Sequence, residues 1–184
     1  MGYRNSTQAR LHVGVNSLGQ YLDGLAEALT TVDPRYAAIG VQVDGDYRQL
    51  NANVLQLENE YYSSIRPKPA SKSPRLIAAL RDHGVEYVEV RTLDLNPFVP
   101  VGVSLEQMHF VEVLLLYCLI DASPPISAAE QAEIDQRELA VAWEGRKSGL
   151  RLPRQGGTVT LRDFALGILA SLAAVAPLLA DGVI

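Results

Sequence analysis

The order of the apolar patterns along the chain constrains its fold more than any other feature. In the first half, alternating residues such as Ile39, Val41 and Val43 predict a strand, and residues 85–93 give the clearest strand pattern. In the second half, apolar residues recur at helical spacing over long stretches. Strands that precede helices in this way favour an α+β fold over a parallel βαβ sheet.

We expect residues 1–184 to form a single module, because 184 residues suit one domain with a sizeable core. Residues 1–100 are expected to be mainly strands with two helices, and residues 101–184 to be mainly helical. Serine caps mark helix starts at Ser17 and Ser104, each followed three residues later by a glutamine.

Three further segments carry local expectations. Asp33-Pro34 is expected to stop the first helix. Residues 110–120 are apolar except for Glu112, which predicts a helix that is buried on most sides. Residues 149–157 are expected to form a loop.

Composition and charge exclude several classes of protein. The net charge of −5 argues against a nucleic-acid partner. The single cysteine, Cys118, excludes a disulfide-rich secreted scaffold, and the N-terminal residues show no secretory signal, so we expect a cytoplasmic protein. Residues 164–180 are uncharged but fall short of the ~20 residues that comfortably span a bilayer. We therefore expect a buried helix there and no membrane partner.

The strand at residues 85–91 carries the most informative side chains. Because side chains alternate along a strand, Tyr87, Glu89 and Arg91 share one face, and the valines between them share the other, which we take as the core face. Glu89 could hold a divalent cation while Arg91 meets a phosphoryl oxygen. The alternative is an ordinary ion pair on a solvated strand.

A second polar cluster consists of Glu58, Asn59 and Glu60, followed by two tyrosines. Two carboxylates that flank an amide suit the binding of a hard cation or an amine. The alternative is a polar strand end without a ligand.

The segment that follows is also expected to be extended. If so, Tyr62, Ser64, Arg66 and Lys68 all point the same way. A tyrosine beside two cations could form an anion pocket, or the segment could be a sheet edge protected by lysine and proline.

Several familiar chemistries are absent from the sequence. It contains no Walker loop and no Gly-x-Ser-x-Gly elbow, and its histidines lack the spacing of a zinc site. Cys118 lies in an apolar helix, where cysteine usually serves packing. Any catalysis would rest on carboxylates, arginine and tyrosine, which favours nucleotide and metal chemistry over acyl hydrolysis.

Several of these segments together resemble the proteobacterial glutamate–cysteine ligase family. The matching segments are Gly2-Tyr3-Arg4-Asn5, Glu58-Asn59-Glu60-Tyr61-Tyr62, Ile65-Arg66-Pro67-Lys68, residues 84–91, Leu93-Asp94, Asn96-Pro97-Phe98 and residues 144–150. They occur in the family's order, and the resemblance is strongest from residue 2 to about residue 150. Several motifs in one order are more specific than any single motif.

The resemblance implies an ATP-dependent ligase that performs the first step of glutathione biosynthesis. In that family, ATP phosphorylates the side-chain carboxylate of glutamate, and the amine of cysteine then displaces phosphate. The implied cofactor is Mg²⁺ or Mn²⁺, with ATP as co-substrate. The implied fold is part of a glutamine-synthetase-like antiparallel sheet with flanking helices.

The resemblance also implies roles for individual residues. Glu89 matches a metal-ligating glutamate, and Arg91 matches the arginine that steadies the transferred phosphoryl group. Tyr3 and Tyr62 match tyrosines of the cysteine pocket. Four further residues lie in matching motifs and are assigned to substrate binding: Asn59, Glu60, Arg66 and Lys68.

The chain is much shorter than members of this family and matches a portion towards their C-terminus. We therefore expect a fragment that is inactive alone and that needs the missing N-terminal part of the ligase as its partner. Two alternatives stay open: another ligase of the glutamine-synthetase type with a different acceptor amine, or a non-catalytic remnant that binds a ligand or a complementary chain.

Overall fold

The structure is a computed structural model that describes residues 11, 13–70 and 75–180. The chain divides into two compact units, an N-terminal unit that ends at Leu93 and a C-terminal unit that begins at Asp94. The expectation of a single module over residues 1–184 stays a prediction, and each unit is described by itself.

The N-terminal unit opens with helix α1 (Leu18–Thr30), and Ser17 is its N-cap residue, as predicted. The Ser17 hydroxyl accepts a hydrogen bond from the backbone N–H of Gln20 at 3.1 Å. One face of α1 packs into the core of this unit, whose buried residues are Val13, Tyr21, Leu22, Leu25, Ala28, Leu55, Leu76, Ile77 and Leu80.

A short helix, α2 (Pro34–Ile39), follows α1 where we expected the chain to turn directly into a strand. Pro34 occupies the first position of α2, which proline favours because the N–H there needs no helical partner. The strand pattern at residues 39–43 is therefore realised only in part. β1 (Gln42–Val43) pairs with β2 (Asp46–Tyr47) in a two-residue ladder.

The second ladder of this unit joins β3 (Ile65–Lys68) and β4 (Tyr87–Val90) in antiparallel register. Helix α3 (Leu76–His83) lies between them in sequence and ends at Gly84. Gly84 has a φ of +75°, a left-handed conformation that glycine adopts without the steric cost of a side chain. The strand predicted at residues 85–93 is confirmed in its central part.

The C-terminal unit contains helices α4 (Leu105–Ile120), α5 (Ala128–Glu144) and α6 (Leu161–Ala180). Ser104 caps α4 with Gln107, as predicted. β5 (Arg151–Arg154) and β6 (Gly157–Thr160) form a hairpin between α5 and α6.

The hairpin corrects the expectation of a loop over residues 149–157. Gln155 and Gly156 both adopt positive φ, +48° and +74°, which makes the tight turn that the pairing needs. Glu133 on α5 accepts hydrogen bonds from both of their backbone N–H groups, at 2.9 and 3.1 Å. A carboxylate from a distant helix thus stabilises a turn that local sequence did not reveal.

The two most apolar helices are exposed, which corrects the expectation that they are buried. Leu116 is the buried residue of α4, whereas Leu119 is 80% exposed. α4 packs against α6, whose Leu172 and Val175 are buried. By length and composition, residues Leu161–Leu179 could cross a membrane, although a core helix of a soluble protein meets the same criteria.

The observed mixture of helices and small antiparallel sheets is an α+β fold, as predicted. Among the described residues, the strands of residues 1–100 are two to four residues long, which is shorter than the sequence predicted. Helices α1, α2 and α3 account for more of that region than its strands do, so its description as mainly strands is wrong.

Candidate functional site

The register of β3 and β4 brings charged residues of two predicted segments, residues 64–68 and 87–91, onto one face. Arg66 lies opposite Glu89, and Lys68 lies opposite Tyr87. The Arg91 N–H also donates to the Ser64 carbonyl at 2.8 Å, which continues the same register. Directly opposed residues of an antiparallel pair project to the same side. We call this side the charged face, formed by Ser64, Arg66, Lys68, Tyr87, Glu89 and Arg91.

The other side of the same ladder is entirely apolar. Ile65 lies opposite Val90, and Pro67 lies opposite Val88. Ile65 is 47% exposed and Val88 is 46% exposed, whereas Pro67 and Val90 are half-buried. The charged face is equally mixed, since Arg66 is 7% exposed and Tyr87 is 54% exposed. The expectation that the valines of β4 face the core is therefore wrong for Val88.

Glu89 lies between two cations on the charged face. The Lys68 Nζ atom and an Arg91 guanidinium nitrogen each lie 3.4 Å from the same carboxylate oxygen of Glu89. Burial raises the pKa of Glu89. Attraction and hydrogen bonds to Lys68 and Arg91 lower it by a larger amount, so the pKa lies below its usual value. Glu89 is therefore ionised at neutral pH.

Arg66 is the buried cation of the site. Its guanidinium donates to the Tyr61 carbonyl, and its Nε atom is buried without a hydrogen-bond partner among the described residues. Because burying an unsatisfied charged donor is costly, a polar group brought by a ligand or by another part of a longer protein would find a ready partner here.

The ring of Tyr62 lies close to two guanidinium groups. The central carbon of Arg66 is 5.9 Å from the ring centroid, and that of Arg91 is 5.6 Å away. The neighbouring Tyr61 packs edge-on against Tyr21, with ring centroids 6.2 Å apart. Burial, followed by the proximity of Tyr61, raises the pKa of Tyr21 to about 12, so its hydroxyl stays protonated.

The cluster at residues 58–60 forms a 3-10 turn whose carboxylates serve local structure. Glu60 accepts from the backbone N–H groups of Gln56 and Leu57, at 2.5 and 3.2 Å. Glu58 accepts from the N–H of Ile77 in the first turn of α3, at 2.8 Å. Asn59 is exposed, and the assignment of Asn59 and Glu60 to substrate binding stays a prediction.

The structure thus brings together Tyr62, Arg66, Lys68, Glu89 and Arg91 from the predicted set. Tyr3 lies outside the described residues. In the part of the chain that the structure describes, no group of three histidine, cysteine, aspartate or glutamate side chains could hold a metal ion. A metal at Glu89 would need further ligands from elsewhere.

The family resemblance assigned both segments to one active site, but sequence reasoning missed that they pair as neighbouring strands and share one face. The alternation within each segment was visible, but the pairing of β3 with β4 was not, because α3 separates them in the chain. The signal that could have found it is that both segments alternate charged and apolar residues, which two neighbouring strands with a shared face must do.

The geometry can be compared with known proteins. The family model described as glutamate-cysteine ligase matches residues 1–141. The chain belongs to the glutamate–cysteine ligase family. The match includes the charged face and ends within α5.

Individual relatives show how much of such a ligase is present. A glutamate–cysteine ligase of Shewanella oneidensis is 48% identical over 183 residues, which are 99% of this chain and 35% of that protein. One from Pseudomonas putida is 43% identical over 180 residues, or 97% of this chain and 34% of that protein. The chain therefore spans about a third of the length of these relatives.

A solved structure shares the fold of most of the chain. The crystal structure of glutamate–cysteine ligase from Francisella tularensis in complex with AMP matches with a TM-score of 0.86 at 37% identity. The match covers 93% of this chain and 35% of that one.

Proposed function

We propose that this chain supplies part of the active site of an ATP-dependent ligase that joins glutamate, through its side-chain carboxylate, to the amine of cysteine. This would be the first step of glutathione biosynthesis. The observation that carries the proposal is the charged face together with the neighbouring Tyr62, in a member of this family. Lys68 and Arg91 contact the Glu89 carboxylate, and Arg66 and Arg91 lie against the Tyr62 ring.

The charge of this face suits phosphoryl transfer. Catalysis of that step depends on positioning and on neutralising the transferred group, tasks that arginine and lysine perform. Arg91 is assigned to the phosphoryl group by the family resemblance, and its side chain, directly after β4, is partly exposed. Lys68 and Arg66 add positive charge nearby and favour binding of the phosphates of ATP or the carboxylates of the amino-acid substrates.

Tyr62 is assigned to the pocket for cysteine, together with Tyr3. Its ring lies beside the proposed phosphoryl arginine, which would hold the amine close to the acyl phosphate that it attacks. Asn59 and Glu60 lie on the turn that leads into Tyr62, and we assign them to the rim of this pocket.

The described residues do not by themselves fit a Mg²⁺ or Mn²⁺ site. Glu89 offers one carboxylate, and its nearest charged neighbours are the two cations of Lys68 and Arg91. We propose Glu89 as one metal ligand of the complete ligase on the strength of the family resemblance.

The form of the β3–β4 ladder fits a piece of a larger, glutamine-synthetase-like sheet. A sheet of two strands with a partly exposed apolar face is small compared with the sheets of most proteins. Further strands and a covering layer from the rest of the ligase would complete the sheet. We propose the cytoplasm as its location, with neither membrane nor nucleic acid as a partner.

The test uses a hybrid ligase, in which this chain replaces the matching third of the Shewanella oneidensis relative. Phosphate release is measured with glutamate, MgATP and a panel of amines. Release that depends on cysteine supports the proposal. Equal or greater release with ammonia indicates a ligase with another acceptor, and no release with any amine indicates a non-catalytic remnant.

A further inference from the structure

We propose that Tyr62 is a positioning residue that orients the guanidinium of Arg91 for phosphoryl transfer, beyond any contact with the acceptor amine. The inference rests on the proposed function. It assigns to one ring a role in the first half of the reaction, before the amine takes part.

Arg91 needs such an orienting contact because its side chain is long and partly exposed. Its guanidinium meets the Glu89 carboxylate oxygens at 3.4 and 3.5 Å, which are distances of a loose ion pair. The Tyr62 ring supplies a second contact at 5.6 Å, within the range of a cation–π interaction. The Glu89 carboxylate and the Tyr62 ring together restrict the orientation of the Arg91 guanidinium more than either contact would alone.

The ring is itself held in place from the core. Arg66, which is only 7% exposed, lies over the same ring and donates to the carbonyl of the preceding residue, Tyr61. Tyr61 in turn packs against Tyr21, which is only 5% exposed. A continuous set of contacts therefore runs from the core through Tyr62 to Arg91.

The two half-reactions distinguish this role from simple binding of the acceptor. In the first, the γ-phosphoryl group passes from ATP to a side-chain carboxylate oxygen of glutamate, and ADP leaves. In the second, the amine attacks the acyl carbon and phosphate leaves. A residue that only lines the acceptor pocket affects the second step, whereas a residue that orients Arg91 affects the first.

The geometry is tested first on the 184-residue chain by NMR of the Arg91 Nε–H group. A neighbouring ring shifts this resonance, so Tyr62→Leu should move it towards the position of a free arginine while Tyr62→Phe leaves it nearly in place. An unchanged resonance in Tyr62→Leu overturns the proposal. Backbone amide spectra of both variants check that the chain still folds.

The catalytic consequence is tested in the hybrid ligase without any acceptor amine, by measuring the ADP formed in a single turnover with glutamate and MgATP. Tyr62→Leu should lower the rate of this ADP formation by roughly tenfold, and Tyr62→Phe, which keeps the ring, should restore it. Equal rates in Tyr62→Leu and the unsubstituted hybrid refute the positioning role. An unsubstituted hybrid that forms no ADP counts against the proposed function instead, and the NMR comparison then decides the positioning.

Discussion

The β3–β4 ladder and the β5–β6 hairpin have the same architecture and opposite chemistry. Each is an antiparallel pair of four-residue strands, and each has proline as the third residue of its first strand. The most deeply buried strand residue differs, since it is Arg66 at 7% exposure in one and Leu152 at 1% in the other. One ladder buries a charge, and the other buries a hydrocarbon.

The arginines of the hairpin are engaged by protein groups that stabilise it. Arg151 donates to the Thr158 hydroxyl at 2.8 Å and to the Thr158 carbonyl at 3.1 Å. Arg154 lies over the ring of Phe164, 5.5 Å from its centroid. On the charged face, by contrast, Lys68 and Arg91 share the one carboxylate of Glu89, and the buried Nε atom of Arg66 has no hydrogen-bond partner among the described residues.

This difference teaches how a functional ladder can be told from a structural one. Two cations on one carboxylate and a buried, incompletely bonded guanidinium cost stability, so they indicate a surface shaped for a ligand. Arginines whose donors are taken up by hydroxyls and carbonyls of their own hairpin indicate structure. The following substitutions test that contrast, from the largest expected effect to the smallest.

The largest effect is expected on the stability of the hairpin. Leu152→Ala removes a fully buried side chain and should lower the free energy of unfolding by about 3 kcal/mol. Circular dichroism during urea unfolding follows the helices of both units and measures the change. Ile65→Ala, on the exposed face of β3, is the matched control and should cost less than about 1 kcal/mol.

The next effect concerns turnover by the hybrid ligase. Arg91→Ala and Glu89→Gln should each lower turnover by about a hundredfold, or about 2.7 kcal/mol in activation free energy, with folding retained. Arg151→Ala removes an arginine from the structural hairpin and should leave turnover unchanged. Near-normal steady-state rates in the Arg91 and Glu89 variants would show that the charged face is not catalytic.

A smaller, local effect is expected at the tip of the hairpin. Glu133→Gln weakens the acceptor for the N–H groups of Gln155 and Gly156, because a neutral amide attracts them less than a carboxylate does. Hydrogen exchange at these two amides should accelerate severalfold, while amides of β4 keep their rates. If exchange accelerates equally in both ladders, the hydrogen bonds from Glu133 to the turn do not stabilise the hairpin locally.

The smallest effect is a difference in salt dependence between two carboxyls. Burial raises the pKa of Glu89, but Lys68 and Arg91 lower it more. The pKa of Glu133 is lowered chiefly by hydrogen bonds from the N–H groups of Gly156 and Gln155. At 1 M salt the screening length falls to about 3 Å, so the pKa of Glu89 should rise more than that of Glu133. NMR titration of the side-chain carboxyls measures both.

These two shifts have the same sign for stability. Both pKa values are lower in the folded chain than in the unfolded chain, so the ionised carboxylates stabilise the fold above the unfolded pKa. That contribution is lost as the pH falls through the folded pKa. Lys68→Ala should raise the pKa of Glu89 and leave that of Glu133 unchanged, which separates the two ladders.

Local chemistry explains the parts of the fold that could be predicted. The caps at Ser17 and Ser104 depend on residues three positions apart, so sequence reveals them directly. The hairpin was missed because its turn is stabilised by Glu133, more than twenty residues away. The exposure of α4 and α6 was missed because an apolar helix pattern predicts burial but does not indicate which other segment packs over the helix.

The sequence by itself determined which side chains share a face of each strand and which family the motifs resemble, because alternation and residue identity are local properties. Only the tertiary structure decided that Arg66 opposes Glu89 and that Tyr62 lies beside both Arg66 and Arg91. Strand pairing joins residues that are distant in the chain. Alternating side chains indicate that two segments can share a face, but they do not fix which residues oppose one another.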